Sequence, residues 1–199
     1  MGPHLAVLLI AGAAASVAAY GAPGKEAEMT GASAGDHYIR ITDDAGAGGY
    51  EAFPDVTRLR NGDLLCVFYA GYGHVSVPSE SLPKGGRICW IRSRDNGKAW
   101  TTPKILVDTD LDDRDPSVMQ TSDGTLICNF FTYVPPSQGK REDVNIYVIR
   151  SHDNGETWEG KPQLIEAPPG IGWACSSPIL ELPNHELILP LYFMQAGKP

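Results

Sequence analysis

Ser93-Arg-Asp-Asn-Gly-Lys-Ala-Trp100 returns as Ser151-His-Asp-Asn-Gly-Glu-Thr-Trp158, 58 residues further along the chain. Each octapeptide carries the parts of a self-contained turn. Asp95 and Asp153 are placed to accept backbone N–H bonds, as in Asx turns. Gly97 and Gly155 supply a left-handed position without a Cβ penalty. Trp100 and Trp158 offer a large apolar area to cover the turn. In this reading the two carboxylates are structural.

The flanks repeat as well. Pro54-Asp-Val-Thr-Arg-Leu-Arg-Asn-Gly-Asp-Leu-Leu65 aligns with Pro116-Ser-Val-Met-Gln-Thr-Ser-Asp-Gly-Thr-Leu-Ile127 at an offset of 62. A third copy, Ser177 to Ile188, follows 61 residues on, with His185 at the glycine position. Every copy reads as a strand, an Asn-Gly or Asp-Gly hairpin and a second strand. The second strands fall at Asp63–Tyr69, Thr125–Thr132 and Glu186–Phe193. Third strands are expected at Arg87–Arg92 and Asn145–Arg150, and short fourth strands at Lys104–Val107 and Gln163–Ile165. Leu64–Tyr69 and Leu126–Phe131 are apolar at successive positions, as strands buried on both faces are. No useful helical period follows residue 35. Four antiparallel strands per unit of about 60 residues is the sequence signature of a β-propeller blade.

The chain has 199 residues with 24 acidic and 16 basic side chains, a formal charge of -8. Hydrophobic residues make up 42% and charged residues 20%, which excludes a disordered chain. No Lys/Arg cluster provides the basic face that nucleic acid needs. The run Leu5–Ala19 is small and apolar, and the first charge is Lys25. It reads as the core of a secretory signal over residues 1–22, with a linker over 23–35, and it is too short for a good membrane span. Export is therefore expected. Cys66, Cys89, Cys128 and Cys175 lack zinc-like spacing. Cys66 and Cys128 lie inside apolar runs, which suits buried thiols.

The pattern Ser-x-Asp-x-Gly-x-x-Trp is similar to the Asp box, or bacterial neuraminidase repeat, of the sialidase superfamily. The resemblance covers residues 36–199 and implies an all-β fold, a six-bladed β-propeller. About two and a half blades fall within this chain: blade 1 at about 50–110, blade 2 at about 111–170, and the start of blade 3 at about 171–199. The remaining blades would lie outside it. The resemblance also implies an exo-acting glycoside hydrolase that removes a terminal, acidic sugar of a glycan. No cofactor or metal is expected, since the paired acids Asp112 and Asp113 lack EF-hand-like spacing for calcium. In that family an Arg-Ile-Pro enters the first strand. Here the residues are Glu51-Ala52-Phe53-Pro54, with Ala52 at the arginine position. The family's acid/base Asp belongs in the next loop, yet Gly71–Gly86 contains no Asp, only Glu80 beside His74 and Lys84.

Placing the family's active site at the blade entries selects Glu51, Asp112-Asp113-Arg114-Asp115, Trp173, Ser176, His74 and Tyr133. Asp115 and Glu51 are the acid/base candidates, with His74 assisting. Arg114 is the candidate for a sugar carboxylate or hydroxyls, and Tyr133 and Trp173 for the sugar face. Each has a plainer role open to it. Asp112 and Asp113 read as a solvated charge run, Arg114–Asp115 as an ion pair bracing the entry, and Glu51 as a brace to a neighbour. His74 reads as an exposed loop residue, and Trp173 as filler between blades. A non-catalytic carbohydrate-binding or scaffold propeller is the second reading, carried by Ala52 and the acid-poor loop.

Overall fold

The structure is a computed structural model that describes residues 5–9, 41–42, 46, 49–134, 143–168 and 172–194. The expected linker over 23–35, and the expected leader apart from residues 5–9, lie outside the described residues.

Twelve strands are present and no helix is found among the described residues. They are β1 (Leu5–Leu9), β2 (Tyr50–Arg58), β3 (Leu64–Gly71), β4 (Arg87–Ser93), β5 (Lys104–Val107) and β6 (Asp112–Gln120). There follow β7 (Leu126–Val134), β8 (Asp143–Ser151), β9 (Gln163–Leu164), β10 (Gly172–Ala174), β11 (Leu180–Glu181) and β12 (Leu187–Met194). No described helix is long and apolar enough to cross a membrane.

Strands β2-β3-β4-β5 and β6-β7-β8-β9 make two four-stranded antiparallel sheets, each following chain order. In the third sheet β12 pairs antiparallel with β10 and β11. β1 runs parallel to β12 in the register Leu5↔Leu187 to Leu9↔Leu191. The repeat units of the sequence therefore appear as successive sheets.

The hairpins between first and second strands are built three times in the same way. Leu59, Thr121 and Leu182 each donate N–H to the carbonyl four residues on, at 2.8–2.9 Å. Gly62, Gly124 and His185 close the turns with φ of 94°, 96° and 65°. His185 thus takes the left-handed position expected of it, a conformation His tolerates better than most side chains.

The octapeptides fold as their residues dictate. Ser93 Oγ donates to Asp95 Oδ1 and accepts from Gly97 N, both at 2.8 Å. Asp95 Oδ1 also accepts from Ala99 N at 2.8 Å. Ser151, Asp153, Gly155 and Thr157 repeat this set at 2.8–2.9 Å. In each, the Asn is left-handed as well as the Gly: Asn96 has φ 63° and Asn154 φ 58°.

Sheets pack face to face because their middle strands are buried on both sides. Leu65 and Val67 of β3 meet Leu126, Cys128 and Phe130 of β7 in one core. Ile127 and Phe131, on the opposite face of β7, join Trp173, Leu187, Leu189 and Leu191 of the third sheet in another. Polar staples run alongside. Asp55 Oδ2 accepts from Val118 N at 2.9 Å, and Asn129 Nδ2 donates to Ser177 O at 3.1 Å. Arg92 reaches from β4 to Asn154 O and Glu156 in the octapeptide of the second sheet. All four cysteines are free and buried. Burial pushes the Cys66 thiol up to about 11 and the Cys89 and Cys175 thiols to about 12.

Candidate functional site

The first strands of the two complete sheets share an irregularity at their entry. Ala52 pairs with Tyr69 and Asp55 with Val67, so Phe53 and Pro54 together oppose one residue. Arg114 pairs with Phe131 and Ser117 with Asn129, leaving Asp115 and Pro116 in the same bulge. The residues selected as strand-preceding, Glu51, Asp112–Asp115 and Trp173, are consequently inside β2, β6 and β10. The strands run on past the proline because the bulge takes it out of the ladder.

Both bulges hold a non-glycine residue in the left-handed region: Phe53 at φ 52° and Asp115 at φ 46°. Such backbone costs on the order of 1–3 kcal/mol and collects at functional sites. Both residues line one cavity of about 240 Å³, together with Asp55, Ser117, Ser176 and Ser177.

Arg114 lies behind that wall, 5% exposed. Its Nη1 is 3.4 Å from Asp112 Oδ2, its Nη2 3.4 Å from His74 Nε2 and its Nε 3.8 Å from Asp115 Oδ1. The guanidinium carbon is 5.7–5.8 Å from the ring centres of Phe53, Tyr69 and Phe131. His74 itself is exposed but sets its ring edge-on to Phe53 at 5.5 Å. Asp115, His74 and Arg114 are therefore brought together.

Asp112 and Asp113 overturn the expectation of a solvated charge run, since both are fully buried. Partners distant in sequence make this possible. Asp112 accepts from Tyr69 Oη at 2.8 Å and from Ser76 N at 3.2 Å. Gly86 packs so closely that a Cβ there would collide with Tyr69 and Asp112. Asp113 accepts from Thr109 N at 2.7 Å and Thr109 Oγ1 at 2.8 Å. Burial nonetheless pushes the Asp113 carboxyl up to about 7, against those two bonds.

Asp115 is 9% exposed, and its Oδ1 is buried without a hydrogen bond. Burial raises its pKa, opposed by Arg114 and His74. A carboxyl of this kind, on a cavity wall, holds its proton longer than an ordinary aspartate and is a candidate acid.

The other selected residues go elsewhere. Glu51 lines a separate cavity of about 230 Å³ with Ile41, Cys66, Phe68 and Ile91. Tyr133, half-buried, packs against the core between the second and third sheets. Trp173 is 7% exposed and bonds Pro168 O through its indole N–H at 2.8 Å. It packs edge-on to Phe193, so filling the core wins over offering a sugar platform. Among the described residues no three His, Cys, Asp or Glu side chains could hold a metal ion.

Phe53, Tyr69, Ser76 and Tyr192, and the wall residues Asp55, Ser117 and Ser177, were not among the residues selected from the sequence. Tyr192 sits beside the cavity, and burial followed by the Asp115 charge pushes its hydroxyl up to about 12. A signal for it existed, because Tyr69, Phe131 and Tyr192 occupy one rung of the repeat, pairing with Ala52, Arg114 and Ala174. Of those three partners, only the middle one carries a guanidinium.

No protein-family model matches the chain. No curated protein sequence matches it either. Solved structures do. A protein of unknown function from Dyadobacter fermentans aligns at TM-score 0.57 and 22% identity, over 74% of this chain and 47% of its own. A Hadza microbial sialidase aligns at TM-score 0.59 and 17% identity, over 73% of this chain and 33% of its own. The NanB sialidase of Streptococcus pneumoniae aligns at TM-score 0.55 and 16% identity, over 78% and 43%. The chain has a sialidase-like all-β fold and spans less than half the length of each of these proteins.

Proposed function

We propose that the cavity at the strand entries binds the terminal sugar of a glycan, and that the protein is an exo-acting glycoside hydrolase with Asp115 as its acid. The observation that carries this reading is Asp115 itself. It is a buried carboxyl with a raised pKa, held in a strained backbone position on a cavity wall, and its Oδ1 makes no hydrogen bond. In hydrolysis its proton passes to the glycosidic oxygen as the bond from the anomeric carbon breaks, and water replaces the leaving group. Arg114 and His74 act from behind, orienting Asp115 and setting its charge. Export, suggested by the leader-like start, belongs to the same reading.

Carbohydrate binding without catalysis is the second reading, and one observation favours it. Asp55 already accepts the amides of Val56 and Val118, and Glu51 lies in the other cavity. Asp115 is then the carboxylate left to work on the ligand. Fluorogenic glycosides of terminal sugars, assayed for turnover and for binding with Asp115→Asn and Arg114→Ala alongside, separate the two. A hydrolase loses turnover by about 100-fold or more in Asp115→Asn while still binding. A binder shows affinity and no turnover in any form. Full activity in both variants would sink the assignment of the site.

A further inference from the structure

From the donors and acceptors around this cavity, we infer that it takes an uncharged sugar, recognised through its hydroxyl groups, rather than a sugar bearing a carboxylate. The inference rests on the reading of the cavity as a sugar site and gives that site its substrate class.

The resemblance to sialidases implied an acidic sugar, gripped by Arg114. The charges actually present point the other way. The ionisable groups on the cavity wall are Asp55 and Asp115, both acids. Arg114 is not on that wall, and its edges face Asp112, His74 and Asp115. The rings of Phe53, Tyr69 and Phe131 surround it. An anionic sugar would also bring its charge to a wall that carries two carboxyl groups and no cation.

The hydrogen-bonding chemistry of the wall gives the same answer. An ionised carboxylate only accepts, whereas a sugar hydroxyl both donates and accepts. Ser117, Ser176 and Ser177 supply hydroxyls that both donate and accept, which suits a polyol. Phe53 lines the same space with its left-handed backbone. The cavity, about 240 Å³, falls below the roughly 300–1,000 Å³ of pockets for drug-sized ligands, which fits one sugar ring.

Saturation-transfer NMR and calorimetry on the protein test this, with neutral hexoses and 6-deoxyhexoses set against glucuronate, galacturonate and N-acetylneuraminate. The wild-type protein should bind at least one neutral sugar, and each carboxylated sugar about tenfold more weakly or not at all. In Asp115→Asn the neutral sugar should weaken while the gap to the carboxylated ones narrows, a readout that misfolding would not produce. Tighter binding of a carboxylated sugar, lost in Asp115→Asn, would overturn the inference and leave the sugar site standing. No binding of either class would overturn the site and the inference with it.

Discussion

Replacing Arg92 by Ala should cost about 3 kcal/mol of stability, although Arg92 touches neither cavity. The figure follows from its contacts. Arg92 is 2% exposed and leaves the first sheet to donate to Asn154 O in the second. A charged donor on this partly buried carbonyl contributes about 1.5–3 kcal/mol. Its pair with Glu156 adds at most about 1 kcal/mol, because Glu156 is 52% exposed and solvent screens it. The guanidinium lies 5.5 Å from the Trp90 ring, worth about 0.5–1 kcal/mol. Urea unfolding followed by tryptophan fluorescence is the assay, and the melting temperature should fall by roughly 6–12 °C. Arg92→Met keeps the aliphatic stem and should show most of the same loss; Glu156→Ala should show less than about 1 kcal/mol. A loss under about 1 kcal/mol in both Arg92 variants, with unfolding still a single transition, would refute the reasoning. Contact between the sheets would then rest on apolar burial and on staples such as Asp55 to Val118 N.

Two pH effects should appear with opposite signs. The Asp153 carboxyl is held down at about 2, chiefly by Thr157 and Ser151; its folded pKa lies below the ordinary value, so its stabilisation is present above about pH 4. That contribution is lost as pH falls toward 2, and Asp153→Asn should flatten this part of the acid limb in unfolding curves taken between pH 5 and 2. Asp113 is raised to about 7, so the folded state binds its proton more tightly than the unfolded chain. Its unfavourable effect grows as pH rises from about 4 to 7, and stability of Asp113→Asn should lack that decline; an unchanged slope over this interval would show that Asp113 is not the group responsible.

The turns were legible in the sequence because their geometry is local. Ser, Asp and Gly of each octapeptide bond within eight residues, and the left-handed position of His185 follows from a simple alignment of hairpins. The strands were legible because both faces of each middle strand are apolar. The site was only half legible. Asp115, Arg114 and His74 do meet, but Asp112 was misread as solvated because its partners, Tyr69 and Ser76, lie 43 and 36 residues away. Trp173 and Tyr133 stayed open between core and sugar face because residue type does not say which side of a strand faces a neighbouring sheet. Tyr192 was not legible because it stands on the second strand of its unit, where its place follows from the rung it shares with Tyr69 and Phe131 and not from a strand entry.

The prolines at 54 and 116 have a consequence for how such a scaffold can change its ligand. Each sits behind a residue that the bulge excuses from pairing, so neither Phe53 nor Asp115 holds any rung of its sheet in register. A substitution at either leaves the ladder's hydrogen bonds intact and is asked only to tolerate a left-handed backbone. The two equivalent positions already carry unrelated chemistry, an apolar ring in one sheet and a carboxyl in the other, on the same wall. Specificity can thus drift at this point of each repeat while the turns and staples that hold the sheets together stay constant.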